Sequence, residues 1–274
     1  MIPTTLDHIA HAYDAFLVDQ FGVLLDGSAA YPGAVDALAR LAKTGKPLIL
    51  ISNSGKRSDP NAARLVKLGF ARDSFRLVLS SGEAAWRHLS QRGYAPGSKV
   101  WLHARDGDTS AVDGLGLTLT DDPSQAALLL LAGSQADHLT LEDYRSLFQP
   151  LAGKVPMLCT NPDIEMLTPL GPRPGAGCIA QLFAELGGAV DWIGKPYPLI
   201  YHEARRLLPG IAPNRILCIG DSPAHDIAGG HRAGFRTCLV RTGLHANTPD
   251  GDLESLCLAE AGALPDHVLP RFAM

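Results

Sequence analysis

The stretch Asp14-Ala15-Phe16-Leu17-Val18-Asp19-Gln20-Phe21-Gly22-Val23-Leu24-Leu25-Asp26-Gly27 carries an apolar strand straight into a polar turn. Phe16-Leu17-Val18 delivers Asp19 to the strand's end. Gln20-Phe21-Gly22 then turns the backbone before a second apolar run, Val23-Leu24-Leu25. A carboxylate at such a strand end can act as a nucleophile or hold a hard cation. A solvated Asp that merely closes a strand fits this segment equally well, so the decision falls to segments far away in the chain.

Outward from this strand, apolar runs alternate with helical patterns, as in a parallel sheet wrapped by helices. Pro32-Gly33 opens a helix with Val35, Leu38 and Leu41 on one face, closing at Gly45. Strand 47–52 follows, then a helix from Ser58-Asp59-Pro60 to Gly69, strand 77–79 and a helix from Ser81. The C-terminal third resumes the rhythm with strand 190–193, helix 198–208, strand 215–219, a helix from Ser222-Pro223 to Gly234, and strand 237–240. The middle has its own strands (99–103, 128–131, 155–159), its own helices (141–151, 176–186) and loops rich in Gly, Pro and Asp. The expected fold class is α/β: a Rossmann-like parallel-sheet core split over residues 1–89 and 186–274, with an α/β cap domain, residues 90–185, inserted into it.

Composition narrows the function classes. With 274 residues, 46% hydrophobic and 19% charged, the chain has ample core for a globular protein. A net charge of −4 without a Lys/Arg block argues against nucleic acid and anionic membranes as partners. The longest fully apolar run, Ala126 to Ala132, is too short to span a bilayer, and residues 1–12 have no export-signal pattern. The five cysteines show no CxxC or zinc spacing, and Cys159, Cys218 and Cys238 lie in apolar runs. A cytoplasmic, reduced protein is expected.

Three further strand ends bear on Asp19. Leu48-Ile49-Leu50-Ile51 ends in Ser52-Asn53-Ser54-Gly55, whose hydroxyl, amide and backbone N–H groups can hold phosphate oxygens without adding negative charge. Trp192-Ile193-Gly194 leads to Lys195-Pro196, a compact ammonium able to offset charge on a carboxylate and a phosphoryl group. Ile216-Leu217-Cys218-Ile219-Gly220 leads to Asp221-Ser222-Pro223-Ala224-His225-Asp226. Ser222 reads as an N-cap, and Asp226, one turn in, points back toward Asp221. Two carboxylates beside a helix N-terminus suit magnesium. In a parallel sheet the C-terminal strand ends converge on one edge, where ligands bind. Read together, the four segments describe a Mg²⁺-assisted phosphoryl-transfer site.

Asp19-x-Phe-Gly-Val-Leu, Ser52-Asn53, Gly194-Lys195-Pro196 and Gly220-Asp221-Ser222-x₃-Asp226 resemble the four ordered motifs of the haloacid dehalogenase superfamily of hydrolases. The large insert between the second and third motifs resembles its subclass IIA, with an α/β cap, which contains 4-nitrophenyl phosphatases and sugar- and pyridoxal-phosphate phosphatases. Asn161-Pro162-Asp163 and Pro174-Gly175-Ala176-Gly177 resemble cap features there. The resemblance implies that Asp19 attacks phosphorus to form an aspartyl-phosphate, that Ser52 and Asn53 hold phosphate oxygen, and that Lys195 neutralises charge. It implies Mg²⁺ on Asp19, Asp221, Asp226 and the backbone carbonyl of Phe21. A homodimer through the cap is also consistent with that family.

The pattern breaks at Phe21. The family's phosphatases carry a second Asp there, which protonates the leaving alkoxide; this general acid–base contribution is worth roughly 10²–10⁴-fold. Substrates with good leaving groups, a replacement acid at Asp26 or Asp163, or a protein that binds a phosphorylated metabolite with little turnover are the open alternatives. Asp26-Gly27 reads more simply as a tight turn. Candidate substrate contacts in the insert are Asn161, Asp163 and Arg173, the last in Gly171-Pro172-Arg173-Pro174, read as a stiff loop. The expected partner is a small phosphorylated metabolite.

Overall fold

The computed structural model describes residues 2–168 and 171–273. They fall into two compact units. One comprises the chain up to Ser52, Ser58–Leu79 and the chain from Lys195 onward; the other comprises Asn53–Arg57 and Ser80–Gly194. The segments 80–89 and 186–194, read above as core, thus group with the second unit.

The first unit is organised by a seven-stranded sheet in the order Ile2–Pro3, His267–Leu269, Arg236–Val240, Ile216–Gly220, Ala15–Asp19, Leu48–Ser52, Val78–Ser80. Ala15–Asp19 runs parallel to both neighbours, with Val18 opposite Ile219 and Asp19 opposite Ile51. All five residues of each of these three central strands are buried. Continuous apolar runs are what a parallel sheet covered on both faces requires. Helix Ala34–Ala42 shows how the covering works: Ala34, Ala37, Leu38 and Leu41 share its buried face. Burying each leucine there contributes roughly 1.5–3 kcal/mol. Phe16, Val18, Leu50, Leu65, Leu217 and Ile219 belong to the same core. The topology places the C-terminal ends of the three central strands side by side, so Asp19, Ser52 and Asp221 emerge at one edge by construction.

The second unit has its own five-stranded sheet, ordered Val190–Trp192, Met157–Cys159, Leu128–Leu131, Lys99–His103, Thr118–Leu119, all parallel. The architecture is therefore α/β, with a Rossmann-like core sheet and a separate parallel cap sheet. One local reading needs correction. Gly171–Pro174 is not a loop but a strand paired antiparallel with Glu165–Thr168. Pro172 and Pro174 lack an N–H, which an edge strand tolerates, and their presence is why the segment reads as a loop. Among the described residues no helix is long and apolar enough to cross a membrane. Cys159, Cys218, Cys238 and Cys257 are free and buried.

The second unit buries a histidine among its aromatic core residues. His103 stacks on Trp101 with ring centroids 5.2 Å apart, and its Nε2 lies 2.8 Å from the Tyr144 hydroxyl. Burial pulls its pKa down to about 4. A histidine held neutral in the fold contributes its full stability above its unfolded pKa and loses it as pH falls toward the folded one. Between pH 6.5 and about 4 the wild type should therefore lose roughly 3 kcal/mol relative to His103→Gln, which cannot charge. Urea unfolding followed by tryptophan fluorescence over that pH range checks this; parallel pH curves for the two proteins would refute it.

Candidate active site

Asp19, Lys195, Asp221 and Asp226 come from the ends of separate strands and the helical turn after one of them. They form one buried cluster, each at most 7% exposed. Lys195 Nζ lies 2.7 Å from Asp19 Oδ1 and 2.7 Å from Asp226 Oδ1. Asp226 reaches back because Ser222 caps the turn: its hydroxyl accepts the His225 N–H at 3.3 Å. The Ser222 N–H in turn donates to Asp226 Oδ2 at 3.2 Å. One carboxylate oxygen from each of Asp19, Asp221 and Asp226 lies within 4.8 Å of the others.

The electrostatics of this cluster call for a cation. Burial, opposed by the Lys195 charge but reinforced by Asp226 and Asp221, pushes the Asp19 carboxyl up to about 8. Burial acts against the Lys195 ammonium, yet Asp19 and Asp226 together raise its pKa. Three carboxylates facing one ammonium leave an excess of two negative charges when all are ionised. Oxygen donors of this hardness, at this separation and charge, fit a divalent ion such as magnesium or calcium. The group can hold a metal.

Glycines make the cluster possible. A Cβ at Gly22 (φ +80°) would stand 2.0 Å from Asp221 Oδ2, and one at Gly243 (φ +67°) 2.1 Å from the same oxygen. A Cβ at Gly220 would stand 2.0 Å from Asp226 Cγ. The Thr242 hydroxyl donates to the Gly22 carbonyl, tying the two loops that flank Asp221. Gly22 also anchors the turn after strand Ala15–Asp19, where its N–H donates to the Leu25 carbonyl at 2.9 Å. The sequence reading did not single out Thr242 or Gly243. The available signal was their place just beyond strand Arg236–Val240, the same signal that marked Ser52.

Ser52, buried, ends the strand beside Asp19. Phe21 is 42% exposed, with the Arg64 guanidinium 4.6 Å from its ring centroid. Asp26 closes its own turn: its Oδ1 accepts the Ala29 N–H at 2.9 Å and the Ser28 N–H at 2.8 Å. These bonds hold its pKa below the usual carboxylate range. Asp26 is thus a turn cap whose hydrogen bonds favour its ionised form.

The remaining candidates lie in the second unit. Asn53 Nδ2 donates to Asp163 Oδ1 at 2.9 Å, and the Asp163 N–H donates to Asn161 Oδ1 at 3.1 Å. The Ser54 carbonyl accepts the Gly82 N–H at 3.1 Å. Gly55 is glycine for packing reasons, since a Cβ there would sit 1.9 Å from the Ala132 carbonyl oxygen. Arg173 Nη1 donates to the Pro172 carbonyl at 3.1 Å on the hairpin.

Comparison with known proteins places this arrangement in context. A haloacid dehalogenase-like hydrolase family profile matches residues 16–118, and a HAD-hydrolase-like profile matches residues 192–273. Chronophin from Homo sapiens is 32% identical over 83% of this chain and 81% of its own length. A haloacid dehalogenase-like family hydrolase from Brucella suis superposes with a TM-score of 0.82 at 27% identity, covering 98% of this chain and 99% of that one. The p-nitrophenyl phosphatase from Archaeoglobus fulgidus gives a TM-score of 0.76 at 26% identity over 95% and 97% of the two chains.

Proposed function

The chain belongs to the haloacid dehalogenase-like hydrolases and is a phosphatase of phosphate esters; from that premise we propose that it transfers the phosphoryl group to Asp19 and favours substrates with good leaving groups. The observation that carries this reading is the buried quartet of Asp19, Lys195, Asp221 and Asp226. An Asp19 oxygen attacks phosphorus as the bond from phosphorus to the ester oxygen breaks and the alcohol or phenol departs as its oxyanion; water then cleaves the aspartyl-phosphate to inorganic phosphate and free Asp19. Lys195, bonded to Asp19 and Asp226, fixes the nucleophile's orientation and offsets charge shared with the phosphoryl oxygens. The Ser52 hydroxyl donates to a phosphoryl oxygen, and Asn53, Ser54 and Gly55 extend that contact. Asp19, Asp221, Asp226 and the Phe21 carbonyl are the proposed magnesium ligands. Magnesium, when bound, supplies positive charge that lets a carboxylate approach a phosphate dianion.

The first unit is the catalytic core and the second the cap, whose Asn161, Asp163 and Arg173 are assigned to substrate choice. A homodimer through the cap is part of the same proposal. The absence of a carboxyl at Phe21 sets the leaving-group preference, because an unprotonated alkoxide is expelled slowly. Phe21 also favours a second reading, a phosphate-metabolite binding protein with little turnover.

A series of aryl phosphates assayed with Mg²⁺ and with EDTA tests the first reading. Turnover should require the metal and fall steeply as the leaving-group pKa rises. Protein that binds inorganic phosphate yet leaves every aryl and acyl phosphate intact would establish the second reading.

A further inference from the structure

Arg64 is a charged side chain that this chemistry leaves unused. It lies on helix Ser58–Lys67, in the same unit as Asp19. Its Nη2 donates to Gln20 Oε1 at 3.0 Å and to Asn61 Oδ1 at 3.4 Å, both neutral amide oxygens. Among the described residues no carboxylate pairs with it. Its Nε and the Nε2 of Gln20 are buried without a hydrogen-bond partner. A partly desolvated guanidinium that meets no anion is costly, and unmet buried donors in a native fold call for an explanation.

The position of this cation suggests what it meets. Gln20 directly follows Asp19, and the guanidinium stacks 4.6 Å from the ring centroid of Phe21, one residue further on. Phe21 is the one aromatic among the exposed large apolar side chains of the described residues. Asp19 itself is buried, so a phosphate ester reaching it must project its remaining part outward past the rim of this turn. An aromatic face suits a flat group, and a guanidinium suits a carboxylate or a second phosphate on that group.

We propose that Phe21 and Arg64 form the leaving-group subsite of this phosphatase, and that it selects planar leaving groups bearing an anionic substituent. The proposal rests on the hydrolytic reading above. It also accounts for Phe21 in the nucleophile turn: the position binds the leaving group instead of protonating it.

The test compares 4-carboxyphenyl phosphate with its neutral methyl ester in the presence of Mg²⁺. The ester has the better leaving group, so tighter binding of the acid cannot be ascribed to easier chemistry. The wild type should show a KM about tenfold lower for the carboxylate, the size of one charge-assisted contact. Arg64→Met should bring the two KM values within about twofold, and Arg64→Lys should keep part of the contrast, because it retains charge without the planar fork. A purely structural Arg64 would lower thermal stability and shift both substrates alike. Equal KM values in the wild type, or a contrast surviving Arg64→Met, overturn the proposal; the wild-type comparison and Arg64→Lys decide it even if the methionine variant does not fold. Metal-dependent hydrolysis of p-nitrophenyl phosphate without any KM contrast sinks this inference alone. Failure to hydrolyse any aryl phosphate sinks both it and the reading beneath it.

Discussion

Asp19→Asn should abolish metal-dependent phosphate-ester hydrolysis, with a loss of roughly 10³-fold or more, as removal of a covalent nucleophile does. The amide keeps the size of the carboxyl but not its nucleophilic oxygen. The same substitution should raise thermal stability in EDTA. In the wild type, burial and the nearby Asp226 and Asp221 work against the Asp19 charge, as its pKa of about 8 records. A neutral isostere removes that strain and leaves Lys195 bonded to Asp226 at 2.7 Å. Loss of activity together with higher stability marks a functional carboxylate rather than a structural one. Initial rates on p-nitrophenyl phosphate and melting curves without metal check both halves. A variant that keeps a tenth of wild-type activity places the nucleophile elsewhere.

The legibility of this site in the sequence follows from its construction. Asp19, Lys195 and Asp221 each lie just beyond an apolar run, and parallel strands buried on both faces write such runs plainly. Asp226 is readable because a helical turn returns its side chain toward the start of the helix. Strands Lys99–His103 and Leu128–Leu131 match the sequence reading to the residue. Elements that escape it have physical reasons. Ile2–Pro3 and Thr118–Leu119 are too short to show a period. Helix Asp250–Ala261 buries only Leu253, Cys257 and Ala261, so its apolar stripe is thin. The glycines at 22 and 243 are required by the close approach of Asp221 from another part of the chain, which no local pattern records. Asn53–Arg57 follows a core strand yet groups with the second unit, so the change of unit falls inside a motif.

Phe21→Asp should raise kcat/KM toward alkyl phosphates by about 10²-fold and flatten the dependence on leaving-group pKa, by placing a general acid in the turn after Asp19. The half-exposed ring leaves room for a smaller carboxyl. Arg64 works against the gain. Its guanidinium, 4.6 Å from the present ring centroid, would pair with the new carboxylate and hold it ionised. A carboxyl kept in that form donates no proton to the departing oxygen. The double variant Phe21→Asp/Arg64→Met should therefore exceed the single one on alkyl substrates, and its activity should extend to higher pH before the acid deprotonates. Arg64→Met alone supplies no acid and should give no such gain. Rates on an alkyl and an aryl phosphate across a pH series for the four proteins separate these effects. If neither variant carrying Phe21→Asp gains on the alkyl ester, the turn after Asp19 does not face the leaving oxygen, and the preference for good leaving groups must have another origin.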